Sequence, residues 1–192
     1  MNDKEYFEYL KNRSWFSFLF RKYFYKSIIK EFRGKVLDVG CGLGEFLEAY
    51  PNSSGIDVNP YCIKYCKQKG LDVKLGKAEK IPFKDKSFNG IFCLCVLEHL
   101  RKPELAAKEM SRVLKQNGKL VLIVPTEKGF RHDKTHVKFW YKENAKELLE
   151  RHGFKVKKMF YFPFSFKFLR EIIFFNELRI IAVKSKGKDF NN

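Results

Sequence analysis

The sequence predicts one α/β domain built on a parallel sheet, and three observations carry that reading. From Lys35 to Pro125, apolar β-branched segments alternate with amphipathic helical ones, the order that gives parallel strands joined by right-handed crossovers. A loop with glycine at every second position, Gly40, Gly42 and Gly44, joins the first such strand to the first such helix. At 192 residues and 45% hydrophobic content, the chain is long enough for one full core and too apolar for disorder.

Residues 3–32 read as one or two helices, with Phe16, Leu19, Phe20, Tyr23 and Phe24 at helical spacing and Lys11, Lys22, Lys26 and Lys30 elsewhere on the surface. Two roles stay open for them: a cap packed on the sheet edge and the mouth of the site, or a basic amphipathic helix lying on a membrane. Strands are expected near 35–39, 53–57, 71–75, 89–94 and 118–124. Helices are expected near 44–50, 60–69, 96–99 and 103–115. Pro60 suits a first helical turn, Gly70 a C-terminal cap, and Asn117-Gly118 a turn before the fifth strand. A loop over 126–137 leads to a helix near 142–152 that Gly153 stops. A strand near 154–161, a short aromatic helix near 165–175, a last strand over 178–183 and a polar tail complete the chain.

The glycine loop is presented where an α/β sheet offers backbone N–H groups to an anionic ligand. Asp57 ends the next apolar stretch, where a carboxylate can accept hydrogen bonds from both hydroxyls of a ribose. The loop alone is weakly specific, and its G-x-G-x-G spacing differs from the G-x-G-x-x-G of nicotinamide- and flavin-binding proteins. The wider string is more informative. Val36-Leu37-Asp38-Val39-Gly40-Cys41-Gly42-Leu43-Gly44 resembles the first motif of the class I S-adenosylmethionine-dependent methyltransferases. In register with it, Ala78-Glu79-Lys80-Ile81-Pro82-Phe83, Ser87-Phe88-Asn89, Val96-Leu97-Glu98-His99-Leu100 and the stretch Glu109 to Pro125 are similar to later segments of that family.

The resemblance implies a Rossmann-like three-layer sandwich whose seven-stranded, mostly parallel sheet has an antiparallel last strand. It divides the single domain into a helical cap (1–33), a cofactor-binding half (34–125) and a substrate-side half (126–192). The implied cofactor is S-adenosyl-L-methionine, with S-adenosyl-L-homocysteine as product. Gly40, Gly42 and Gly44 would line its amino-acid end, Asp38 would hold its ammonium group, and Asp57 with Val58 would meet the ribose. Ala78 and Glu79 would flank the adenine, and Leu94 would approach the methionine portion. Lys77 departs from the family pattern, which commonly has Asp there to accept from the adenine amino group; a lysine has donors only. The adenine contact then falls to Glu79 or a backbone carbonyl, or cofactor affinity is reduced.

For catalysis the candidates are His99 and His136, since a neutral imidazole can take a proton near pH 7. Arg131-His132-Asp133-Lys134-Thr135-His136-Val137 resembles the D-x-T-H-V element of methyltransferases from glycan-biosynthesis clusters. His132, Asp133 and His136 also have the number and spacing of metal ligands, although the expected protein holds no metal. The expected acceptor is a small molecule, a glycan or a lipid-like molecule, most simply through a hydroxyl; RNA or protein methylation and a non-catalytic binding module are the alternatives.

The 39 Lys and Arg against 22 Asp and Glu give a formal charge of +17. That charge fits a solvated lysine-rich surface, a nucleic-acid substrate, or peripheral contact with an anionic membrane or acidic glycan. No run of apolar residues approaches the roughly 20 of a membrane-spanning helix. The polar N-terminus is unlike a secretory signal, and the expected location is cytoplasmic. The five cysteines read as reduced structural thiols, with Cys93 and Cys95 on one side of a strand and Cys62 and Cys66 on one helix face. The run Phe160 to Phe168 is richer in aromatics than a sheet edge needs, and core packing, an apolar substrate, a membrane or a dimer contact are its candidate uses.

Overall fold

The structure, a computed structural model, describes residues 2–12, 23–163 and 176–185. The proposed helix positions Phe16, Leu19, Phe20 and Lys22, the aromatic segment from Phe164 onward with its short helix, and the tail beyond Ser185 lie outside the described residues.

Seven strands form one sheet in the order β3-β2-β1-β4-β5-β7-β6. They are β1 (Val36–Val39), β2 (Ser53–Asp57), β3 (Val73–Leu75), β4 (Phe88–Leu94), β5 (Leu114–Pro125), β6 (Phe154–Phe162) and β7 (Glu177–Lys184). The pairs among β1 to β5 are parallel, and β7 runs antiparallel between β5 and β6. The chain reverses between β3 and β4, which lie on opposite sides of β1. A crevice therefore opens at the carboxyl ends of the strands, the usual ligand position in open α/β sheets.

The helices are α1 (Asp3–Lys11), α2 (23–29), α3 (Glu45–Ala49), α4 (Pro60–Gln68), α5 (Pro103–Val113), α6 (Glu127–His132) and α7 (Lys142–Arg151). They cover both faces of the sheet, and alternate side chains of the central strands enter different cores. Leu120, Leu122 and Val124 of β5 join Leu37, Ile91 and Cys93 in the larger cluster with Met110 of α5 and Leu149 of α7. Val121 and Ile123 face the other way, joining Phe24, Ile28, Phe32, Phe46 and Phe92. Burial on both faces explains why these strands read as continuous apolar runs. Phe46 and Phe92 stack at 4.5 Å between ring centroids, fixing α3 against β4.

Several local expectations change. The helix expected to 115 ends at Val113, and the strand begins at Leu114, which pairs with Phe88 before the register shifts at Gly90. Asn117, at φ +61°, bends the strand within its length and does not precede it. Only a single 3-10 turn, Leu97–His99, stands where a helix near 96–99 was expected. The expected loop over 126–137 holds α6 in its first half. Cys93 is buried but Cys95 is exposed, because Cys95 adopts φ +52° just past the end of β4 and so breaks the alternation. Cys62 and Cys66 do share the buried face of α4.

Candidate active site

The glycine loop sits directly beyond β1, with φ of +78°, +49° and +78° at Gly40, Gly42 and Gly44. At Gly40 a side chain would face both the left-handed penalty and a collision with Val96 Cγ2. The loop's donors are largely used within the protein. Gly40 and Cys41 donate to the Ile56 carbonyl at 2.8 and 2.9 Å, Gly44 donates to the Cys41 carbonyl at 2.8 Å, and Gly42 donates to Asp57 Oδ2 at 2.8 Å. The expectation of free N–H groups for an anion is therefore corrected: these glycines supply room and curvature, and a pyrophosphate would find few donors here.

The charge of the crevice has the opposite sign. Asp38, on β1, is 3% exposed, and burial together with Asp57 and Glu45 raises its pKa well above the usual carboxylate range. Asp57 is raised chiefly by burial, while hydrogen bonds from Asn59, Gly42 and Val58 pull it back. Its Oδ1 accepts from Asn59 N at 2.8 Å, and each carboxylate oxygen retains acceptor capacity. Two acids crowded at the end of β1 and β2 suit a cationic ligand with hydroxyl groups, which matches an aminoacyl sulfonium on a ribose.

The remaining cofactor candidates differ in exposure. Val58 is 59% exposed past the end of β2, Ala78 is buried, Glu79 is half-buried, and Leu94 is half-buried at the end of β4. Lys77 points to solvent and is tied only through its backbone to Lys80. The segment carrying Ala78 and Glu79 is held by α5. Glu109 accepts from Ile81 N at 2.8 Å, and Arg112 donates to the carbonyls of Ile81 and Phe83, both at 2.9 Å, and to Asp85 and Glu109. α1 lies over the crevice from above. Asn59 Nδ2 donates to the Asp3 carbonyl at 2.7 Å, Phe7 stacks on Tyr61, and Leu10 approaches Gly42.

The two candidate histidines meet. His99, in the 3-10 turn after β4, and His136, in the loop after α6, have ring centroids 4.6 Å apart. That loop is pinned to the turn by Val137 N and Lys138 N, which donate to the Glu98 carbonyl at 2.8 and 3.2 Å. Burial and the neighbouring His136 lower the pKa of His99, so it is a neutral imidazole at pH 7. His136 Nδ1 donates to the Phe130 carbonyl at 2.8 Å, so in the neutral ring the lone pair is on Nε2. The Thr135 hydroxyl donates to Asp133 Oδ1 at 2.6 Å, which leaves its oxygen, 3.1 Å from His99 Nδ1, to accept from that ring. Both imidazoles are thus held as acceptors through Nε2.

Glu98 was quoted as part of a motif but not as a site residue. It is fully buried, and neither carboxylate oxygen has a full hydrogen-bond partner. Burial lifts its pKa to about 7, against weaker support from its own N–H and the Cys95 thiol. The signal in the sequence was a carboxylate between Leu97 and His99, straight after the apolar run of a central strand.

Residues 37–122 match the family model described as a methyltransferase domain. With the fold and the ordered motifs, this makes the chain similar, over those residues, to the class I S-adenosylmethionine-dependent methyltransferases. A solved S-adenosylmethionine-dependent methyltransferase from Archaeoglobus fulgidus superposes with a TM-score of 0.73 at 25% identity, covering 86% of this chain and 93% of that one. An uncharacterized protein of Methanocaldococcus jannaschii, MJ1123, is 31% identical over 126 residues, 62% of each chain. A tRNA (carboxymethyluridine(34)-5-O)-methyltransferase of Arabidopsis thaliana is 31% identical over 94 residues, 46% of this chain and 23% of its own length. The chain thus matches less than two thirds of these two relatives.

Proposed function

We propose that this protein transfers the methyl group of S-adenosylmethionine, in line, to an oxygen of a small-molecule, glycan or lipid-like acceptor. The observation that carries the acceptor side of this reading is the pair of imidazoles, His99 and His136, with Nδ1 of each engaged within the protein at the carboxyl edge of β4. A hydroxyl must lose its proton as it is methylated, and a positioned neutral histidine is suited to take it near pH 7.

When bound, S-adenosylmethionine supplies a methyl group already activated on a sulfonium. What remains for the chain is to bind, orient and remove a proton, and orientation alone can lower such a barrier by several kcal/mol. Asp38 and the glycine loop receive the amino-acid end with its ammonium, and Asp57 receives the ribose hydroxyls. Ala78 and Glu79 border the adenine end and Val58 the ribose, with Leu94 against the methionine portion. His99 Nε2 or His136 Nε2 accepts the acceptor's proton, and Thr135 and Asp133 keep His99 in the required tautomer. The test supplies methyl-labelled S-adenosylmethionine with a small-molecule extract. Label is expected on oxygen of a low-molecular-weight product, reduced at least a hundredfold in His99→Ala or His136→Ala while S-adenosylhomocysteine affinity stays within about twofold. Full turnover in both variants contradicts the base role.

A second reading, RNA as acceptor, has its own support. Arg101, Lys102, Lys128, Arg131, Lys134 and Lys138 are exposed around the same edge, and one relative is named for a tRNA activity. An RNA substrate requires binding that falls steeply with salt, and label that sediments with nuclease-sensitive material.

A further inference from the structure

One atom from each of Glu98, His99 and His136 lies within 4.8 Å of the other two, at the turn where β4 meets the loop after α6. We propose that this cluster, with Asp133, is a binding site for a divalent first-row transition-metal ion.

The argument starts from the kinds of atom that face one another. His136 Nε2 stands 3.9 Å from Glu98 Oε1 and 3.9 Å from Asp133 Oδ2. His136 directs its Nδ1–H to a backbone carbonyl, which leaves Nε2 toward the carboxylates, and His99 Nδ1 is engaged by the Thr135 oxygen. His136 Nε2 thus faces two carboxylates, with the His99 ring beside it. Among the described residues neither carboxylate is paired with a lysine or arginine. Such a set repels itself until a proton or a cation enters, and a fully buried carboxylate without a full partner is costly unless something neutralises it.

The orientation of the ligands favours the metal. Metal-binding histidines characteristically donate their second N–H to a carbonyl, a carboxylate or a similar acceptor, and both rings do so here. Asp133 is braced in the same manner, its Oδ1 accepting from Thr135 N at 2.8 Å and from the Thr135 hydroxyl at 2.6 Å while Oδ2 is directed at His136. Two imidazoles with one or two carboxylates form a mixed nitrogen and oxygen set suited to Zn²⁺, Fe²⁺ or Co²⁺ and poorly suited to Ca²⁺. Adjacent ligands around such an ion stand about 3 Å apart, so binding draws the cluster in by roughly 1 Å. The movement falls to the loop carrying Asp133 and His136, since the turn carrying Glu98 is fixed by core residue Leu97. The consequence for substrate class rests on the methyl-transfer reading but replaces its histidine base. An ion held by both imidazoles would occupy their lone pairs and would instead acidify a hydroxyl bound at an open position, its proton leaving to solvent. The acceptor selected is then one that presents chelating oxygens.

The test is a titration of Co²⁺ into tag-free, chelator-treated protein, read by visible d–d absorption, with Zn²⁺ as competitor. One Co²⁺ per chain is expected, displaced by Zn²⁺. Affinity should fall at least a hundredfold in Glu98→Gln and His136→Ala, and about tenfold in Asp133→Asn. Calorimetry with S-adenosylhomocysteine on the same variants separates the two proposals. Retained affinity for it with lost Co²⁺ binding supports the metal site. Where a Glu98 or His136 variant fails to fold, Asp133→Asn, on a partly exposed side chain, gives the answer. No saturable absorption in wild type, or equal Co²⁺ affinity in wild type and Asp133→Asn, overturns the site and leaves the cofactor reading untouched.

Discussion

A carboxylate as buried as Asp38, set beside a second acid, keeps its proton to unusually high pH, and this puts folding and binding in opposition. Its folded-state pKa lies above its unfolded value. The group therefore stabilises the free protein most at pH below about 4, and that contribution is lost as pH rises through the folded pKa. An ammonium ligand prefers the ionised form, so affinity for S-adenosylhomocysteine should rise over the same range. Asp38→Asn is expected to flatten both profiles, to melt higher than wild type above neutrality, and to bind about 10- to 100-fold more weakly by calorimetry. Equal affinity would remove Asp38 from the ammonium site. Gly40→Ala isolates the backbone: the left-handed φ costs roughly 1–2 kcal/mol, and the Val96 contact adds to it. Thermal melts should fall by roughly 4–8 °C, partly recovered in Gly40→Ala with Val96→Ala. At this scale the sequence was informative where chemistry depends on spacing, as for Asp38, Asp57 and the glycines. It was silent on Glu98 and on the Thr135 and Asp133 brace, because a missing partner or a fixed tautomer depends on what the fold brings near.

The elements were legible where burial sets the pattern. β1, β4 and β5 are buried on both faces and read as apolar runs, and α4 has its proline and its glycine at the expected ends. They were less legible where tertiary pairing overrides local preference. Leu114 leaves α5 early because it pairs with Phe88, and the 97–99 turn is cut short by the loop that docks on the Glu98 carbonyl. The stretch from Glu109 to Pro125, noted for its resemblance, contains the clamp that fixes the 78–85 segment. Arg112 there makes five hydrogen bonds to Glu109, Asp85 and two carbonyls. Arg112→Ala should therefore cost about 2–4 kcal/mol in denaturant unfolding and weaken S-adenosylhomocysteine binding through loss of the adenine wall. Arg112→Lys, which cannot reproduce the planar fork, should recover less than half. A stability loss with unchanged cofactor affinity would confine Arg112 to structure.

For the molecule as a whole, alternation of strand and helix was enough to place the parallel strands, while the antiparallel β7 came from family resemblance. Its place beside β5 depends on pairing across more than 50 residues, which local pattern does not record. The described residues contain no helix long and apolar enough to cross a membrane, and most of the described lysines are exposed. Because the crevice forms only when β1, β2 and β4 are assembled, a ligand bound there stabilises the whole domain. At 100 times its Kd, S-adenosylhomocysteine should add about 2.7 kcal/mol, raising Tm by roughly 5–10 °C. The most direct measurement is calorimetric titration of the chain with S-adenosylhomocysteine beside Asp57→Ala. One-to-one saturable binding in wild type, lost or reduced at least tenfold in the variant, is the predicted result. No saturable binding in wild type, or binding indifferent to Asp57, would contradict the placement of the cofactor between the glycine loop and the end of β2.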